Sequence, residues 1–195
     1  MKAHTVGVPE ASAMRGLARI REYFRVLTEL AHIRPSKRYQ MPEEDEQTSL
    51  GSVFQDTVSR YPDNIMLIFE GRQWTYAEFN AEVNRLARVL DGKGIRRGDS
   101  VAILMENRAE YILAMLALVK LGASASLINN SLTGAALLHC LATTNSKGCI
   151  VGEERSVAFD SIRGDLGFTD TNPLLWFSDT DSKEPPLWAI DARVE

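Results

Sequence analysis

Apolar positions first take up a helical rhythm between Arg15 and Ile33, where Leu17, Ile20, Phe24, Leu27 and Ala31 recur on one side and Arg19, Arg21, Glu22, Arg25 and Glu29 on the other. That rhythm predicts an amphipathic helix ending before Pro35. The run Glu43, Glu44, Asp45, Glu46 then reads as a solvated linker, because crowded like charges resist compaction. A boundary is therefore expected here, with residues 1–45 forming a leading helix and acidic linker and residues 46–195 a second unit.

Within the second unit the rhythm changes repeatedly. Leu50, Val53, Phe54, Thr57 and Val58 predict a short helix from Ser49 to Arg60, and Tyr61-Pro62-Asp63-Asn64 predicts a turn. Two short apolar runs, Ile65 to Glu70 and Gln73 to Thr75, flank Gly71-Arg72 as a hairpin would. Thr75-Tyr76-Ala77-Glu78 has the form of a capping box, in which a hydroxyl and a carboxylate satisfy the free N–H groups of a helix start. The helix it opens places Tyr76, Phe79, Val83, Leu86, Ala87 and Leu90 within one arc and is stopped by Gly92 and Gly94. Next come a buried strand (Val101 to Leu104), a helix (Ala109 to Leu121), a strand (Ala123 to Ile128), a helix capped by Thr133 and running through Leu141, and a strand (Gly148 to Val151). Each connection is long enough for a parallel crossover, so the predicted class is α/β with a βαβαβ parallel sheet. Beyond Glu153 the pattern fades. Phe159 to Gly167 has little periodicity, Leu174 to Phe177 reads as one strand, and Asp179 to Pro186 as loop.

Charge changes this picture only by dividing it. The net charge of -4 conceals +5 over residues 1–40 and -9 over the rest, so a basic head precedes an acidic body. Nucleic acid is a poor partner for such a body, because phosphate neutralisation needs clustered cations. The leading helix suits either an anionic lipid surface or packing on its own domain. With Cys140 and Cys149 as the two cysteines and no C-x-x-C, neither a disulfide framework nor a zinc site is indicated, and a cytoplasmic location is expected. The most apolar window, Ile112 to Ile128, contains Lys120 and is too short to span a bilayer.

Open parallel sheets bind ligands beyond the carboxyl ends of their strands. Those ends carry Glu106 and Asn107, then Asn129 and Asn130, then Glu153 and Glu154. Glu106, Asn107, Asn129 and Asn130 are the candidate ligand-rim residues. The same residue types serve equally as caps and turn formers. No catalytic residue, bound cofactor or metal ligand is assigned. Thr143 to Gly148 has phosphate-loop residue types in the wrong order, Asp179-Thr180-Asp181-Ser182 begins a calcium loop that Lys183 and Glu184 do not continue, and His139 beside Cys140 reads as core and rim.

Five segments in order, Tyr61-Pro62-Asp63, Trp74 to Asn80, Asn84-Arg85-Leu86-Ala87, Gly98 to Ala102 and Asn107 to Tyr111, resemble the opening of adenylate-forming (AMP-binding) enzymes. Leu127 to Leu132 with Leu138-His139 is most similar to the fatty acid transport protein and very-long-chain acyl-CoA synthetase branch. The resemblance implies the incomplete N-terminal domain of a fatty acyl-CoA synthetase, whose family uses ATP, Mg2+ and CoA to make an acyl-adenylate and then a thioester. It implies fatty acid, ATP and CoA as partners, with the remainder of the enzyme and a peripheral membrane contact through Arg15 to Ile33 beside them. The family's phosphate loop, Thr-Ser-Gly-Thr-Thr-Gly-x-Pro-Lys, has no counterpart in this sequence, nor is its C-terminal lysine carried over, so a chain inactive by itself is expected. The alternatives are a non-catalytic lipid- or protein-binding α/β module, and a fragment of an aryl- or amino-acid-activating enzyme.

Overall fold

The computed structural model describes residues 48–169, 172–178 and 189–192, all within one unit, Gln47–Glu195. The leading helix at Arg15 to Ile33, the acidic linker and the loop at Asp179 to Pro186 lie outside the described residues.

The first helix, α1 (Leu50–Arg60), starts at Ser49, whose Oγ accepts from the Ser52 backbone N–H at 3.1 Å while Ser52 Oγ accepts from that of Ser49 at 2.9 Å. It buries Gly51, Phe54 and Val58. The antiparallel hairpin β1 (Ile65–Phe69) and β2 (Arg72–Thr75) follows. Its turn falls one residue earlier than the sequence suggested. Phe69 pairs with Arg72, and the two residues between, Glu70 and Gly71, both have positive φ (47° and 80°), as a two-residue turn matching the strand twist requires.

The long helix α2 (Tyr76–Gly92) carries the capping box expected of it: Thr75 Oγ1 accepts from the Glu78 N–H at 3.2 Å, and Glu78 Oε2 accepts from the Thr75 N–H at 2.8 Å. Those bonds to Thr75 hold the Glu78 carboxyl below the ordinary carboxylate range. Then come β3 (Ser100–Leu104), α3 (Ala109–Lys120), β4 (Ser124–Leu127), α4 (Gly134–Thr143), β5 (Gly148–Gly152), a 3-10 turn (Glu153–Arg155), α5 (Ser156–Arg163), β6 (Leu174–Phe177) and the two-residue β7 (Ile190–Asp191). Thr133 sits at the N-cap of α4, yet its hydroxyl makes no capping bond.

The strands β4-β3-β5-β6-β7 form one sheet in that order, every pairing parallel. The expected βαβαβ sheet is present and extends by two strands. Alternation along β3 sends Val101 and Ile103 to one face and Ala102 and Leu104 to the other. Helices α1, α2 and α3 cover the first face, with Phe79, Val83, Leu90 and Leu118 fully buried there. Helices α4 and α5 cover the second through Leu137, Leu141, Phe159 and Ile162. The chain moves leftward from β3 to β4 and rightward from β4 through β5 to β6. A crossover of fixed hand must therefore change face at the reversal, which is why α3 and α4 lie on opposite sides.

Two elements were not legible in the sequence pattern. Helix α5 buries only Phe159 and Ile162, while Val157 on the same helix is 86% exposed, so its apolar rhythm is broken. Strand β7 is too short to carry a period.

Candidate functional site

Because β3 leads into α3 on one face and β5 leads into α5 on the other, the carboxyl ends of these adjacent strands are left without a common roof. A cavity of about 720 Å³ lies there, with the hairpin and α2 forming its other wall. From the sheet side it is lined by Glu106, Asn107, Arg108, Glu110, Glu154, Phe177, Ser178 and Ala192, and from the other by Phe69, Glu70, Arg72, Trp74, Glu82, Arg85 and Leu86.

Ion pairs organise its floor. The Arg108 side chain, 13% exposed, donates from Nε to Glu110 Oε2 at 2.8 Å, from Nη1 to Glu154 Oε2 at 3.4 Å and from Nη2 to the Ser178 carbonyl at 3.1 Å. Glu154 Oε1 accepts from the Glu106 backbone N–H at 2.6 Å. Ser178 Oγ donates to Glu153 Oε2 at 2.9 Å. One guanidinium with a rigid fork of donors thus ties together the ends of β3, β5 and β6. Gly152 makes this possible, since a Cβ there would collide with both oxygens of the Glu154 carboxylate.

The opposite wall is fixed in the same manner. Trp74 is buried, packs edge-on against Phe79 with centroids 6.2 Å apart, and donates from Nε1 to Glu82 Oε1 at 3.2 Å. Arg72 donates to the same oxygen at 2.9 Å and lies 4.1 Å above the Trp74 ring.

Of the residues singled out in the sequence, Glu106 and Asn107 stand on the cavity wall. Asn129 and Asn130 stand elsewhere, in the turn after β4. There Asn129 Oδ1 accepts from the Ser131 N–H at 2.9 Å, and Arg155 Nη2 donates to the Leu132 carbonyl at 2.8 Å. Arg108, Glu110 and Ser178 were not singled out, because their partners lie up to 70 residues away along the chain. Thr143 to Gly148 is the turn from α4 to β5, with Lys147 Nζ donating to Asp99 Oδ2 at 2.8 Å. His139 is exposed.

Chemically the cavity is a polar cleft whose carboxylates are mostly engaged by arginines. Among the described residues no group of three His, Cys, Asp or Glu side chains converges as a metal ion would need, so none is assigned to Mg2+. Burial raises the Cys149 thiol far above its ordinary range, which removes it as a nucleophile. No helix of the described residues is long and apolar enough to cross a membrane.

Comparison with known proteins places these features in context. A family model described as AMP-binding enzyme matches residues 54–189. A medium/long-chain fatty-acid CoA ligase of Mycobacterium tuberculosis is 43% identical over 101 residues, which are 52% of this chain and 17% of that protein. Long-chain fatty acid transport protein 1 of Bos taurus is 33% identical over 148 residues, 71% of this chain and 23% of its own length. The crystal structure of an anthranilate CoA ligase in complex with anthranoyl-AMP superposes with a TM-score of 0.66, covering 73% of this chain and 26% of that one; at 23% identity it speaks for the fold alone. The chain spans about a fifth of the length of the curated relatives it matches.

Proposed function

This chain belongs to the AMP-binding enzyme family, and we propose on that premise that it is the opening scaffold of a fatty acyl-CoA ligase. In that reaction a fatty carboxylate attacks the α-phosphate of ATP, pyrophosphate leaves, and the thiol of CoA then displaces AMP from the acyl-adenylate. The residues described here supply none of the bond-making groups. Their part is to build one wall of the nucleotide and acyl site: β3, β5 and β6 present their carboxyl ends together, and Arg108 with Glu154 fixes the spacing of those ends. The observation that supports this reading best is the ion-paired cleft at the reversal of strand order, built by strands within residues 54–189 that the AMP-binding family model matches, in a chain 43% identical over 101 residues to a fatty-acid CoA ligase. Fatty acid, ATP and CoA are the proposed substrates of the whole enzyme. A cytoplasmic position with peripheral membrane contact through residues 15–33 is proposed with them.

Two measurements test this. With MgATP and long-chain fatty acids the 195-residue chain should release no pyrophosphate; sustained turnover would overturn its role as a scaffold. Exchanging the matched 101-residue segment into the Mycobacterium tuberculosis ligase should leave fatty-acid-dependent pyrophosphate release within about tenfold of the parent, under 1.5 kcal/mol in barrier. A folded chimera without that activity would sink the assignment to fatty acyl-CoA ligases.

A further inference from the structure

Most arginines of the described residues have a partner within the fold. Arg60 pairs with Asp56, Arg72 with Glu82, Arg96 with Asp91, Arg108 with Glu110 and Glu154, and Arg163 with Asp160, while Arg155 donates to a carbonyl. Arg85 and Arg88 are different. Both project from α2, three residues apart, exposed and without an ion pair or hydrogen bond to any described residue. Neighbouring like charges at this spacing oppose the helix that carries them. The acids on α2 that could relieve them, Glu82 and Asp91, are engaged by Arg72 and Arg96.

These two guanidiniums line a groove of about 470 Å³ together with Val89, Gly92 and Lys93, and no carboxylate of a described residue lines it. Gly92 leaves the groove open, since a Cβ at that position would meet nothing within 4 Å. Arg85 also lines the larger cavity, so the groove adjoins the cleft at the strand ends. The body of the chain is acidic, with -9 over residues 41–195, so a groove lined among the described residues by Arg85, Arg88 and Lys93 and by no acid is a local reversal of sign.

We propose that the Arg85/Arg88 groove is a binding site for a phosphate group. Paired guanidiniums on a fixed helix match phosphate oxygens through parallel N–H donors, and an anion between them removes the repulsion the helix otherwise carries. Solvated arginines on a helix surface are common and contribute little. What distinguishes this pair is its shared concave groove, the absence of a neutralising carboxylate among the described residues on that groove, and its continuity with the cleft. The phosphate comes either from a soluble compound or from a lipid headgroup, and the site is independent of which acid the enzyme activates.

The test titrates the full chain with inorganic pyrophosphate by calorimetry, and separately measures its co-sedimentation with phosphatidylcholine vesicles lacking or containing phosphatidylglycerol. The double variant Arg85→Gln/Arg88→Gln is compared with Arg97→Gln, an exposed arginine outside the groove, after melting curves establish that each is folded. Saturable pyrophosphate binding weakened by about tenfold or more in the double variant, and unchanged in Arg97→Gln, supports a soluble source. Retention on anionic vesicles alone, lost in the same variant, supports a lipid source. Binding of neither probe, or equal loss in Arg97→Gln, overturns the site. Should the double variant fail to fold, amide shifts of the wild-type chain decide: changes centred on Val89, Gly92 and Lys93 support the groove, and changes centred elsewhere overturn it.

Discussion

Asp99 illustrates how a residue within a recognisable segment can serve structure alone. Its Oδ2 accepts from Lys147 Nζ at 2.8 Å and from the Arg96 N–H at 2.7 Å, and these bonds hold its carboxyl below the ordinary range. It lies at the amino end of β3, where its carbonyl accepts from the Ser124 N–H, at the end of the strands opposite the cleft. A carboxyl whose folded pKa is depressed contributes stability above its unfolded pKa and loses it as pH falls through the folded value. Asp99→Asn should therefore lower the melting temperature at pH 7, and the gap from wild type should close as pH falls below about 4. Melts by circular dichroism between pH 3 and pH 7 check this; a gap independent of pH would exclude the linkage. The segment Gly98 to Ala102 was recognisable in the sequence, but the lysine that engages Asp99 is 48 residues on and carries no mark of its task.

At the scale of elements, α2 was legible because three signals agree: the capping box, an unbroken apolar arc and terminal glycines. How the helices dock was not legible. Lys120 at the end of α3 donates to Gln55 Oε1 on α1 at 3.0 Å and to Asn84 Oδ1 on α2 at 2.7 Å, with Asn80 Oδ1 a third acceptor and the Phe54 ring 5.5 Å away. Asn80 and Asn84, both within the segments that resemble the family, thus clasp three helices, and partial burial lowers the Lys120 pKa. Phe79→Ala should cost about 3–5 kcal/mol, because the ring is fully buried in the core and packs edge-on against Trp74. Lys120→Met should cost nearer about 1 kcal/mol, the net worth of partly solvated hydrogen bonds. Denaturant unfolding of both variants tests the ranking, and equal losses would mean that the clasp matters as much as the core. The rim residues divide similarly. Glu106 and Asn107 followed from the rule of strand ends, whereas Asn129 and Asn130 obey that rule in sequence but form the turn beyond an edge strand.

For the whole molecule, the double covering of the sheet sets accessibility. Cys149 lies on β5, the middle strand of the sheet, with no exposed surface, and Cys140 is partly exposed on α4. Under native conditions a thiol reagent should modify Cys140 readily and Cys149 only at the rate of global opening, which mass spectrometry of the quenched reaction would separate. Modification of both at one rate would mean that the layer of α4 and α5 opens independently of the rest. The two-faced architecture was itself readable from alternating helices and strands, since parallel strands buried on both sides require it.

The reversal of strand order also sets a timetable for synthesis. In β3, Val101 pairs with Ala125 on one side and with Gly148 on the other, so neither edge of this strand has a partner when it is made. At ribosomal rates of about 5–20 residues per second, the interval before β5 follows is on the order of 2–10 seconds. The hairpin of β1 and β2 closes within about 10 μs of emerging. During that interval Val101 to Leu104, four apolar residues in succession, is an open template for another chain, and a nascent-chain chaperone would find its target there.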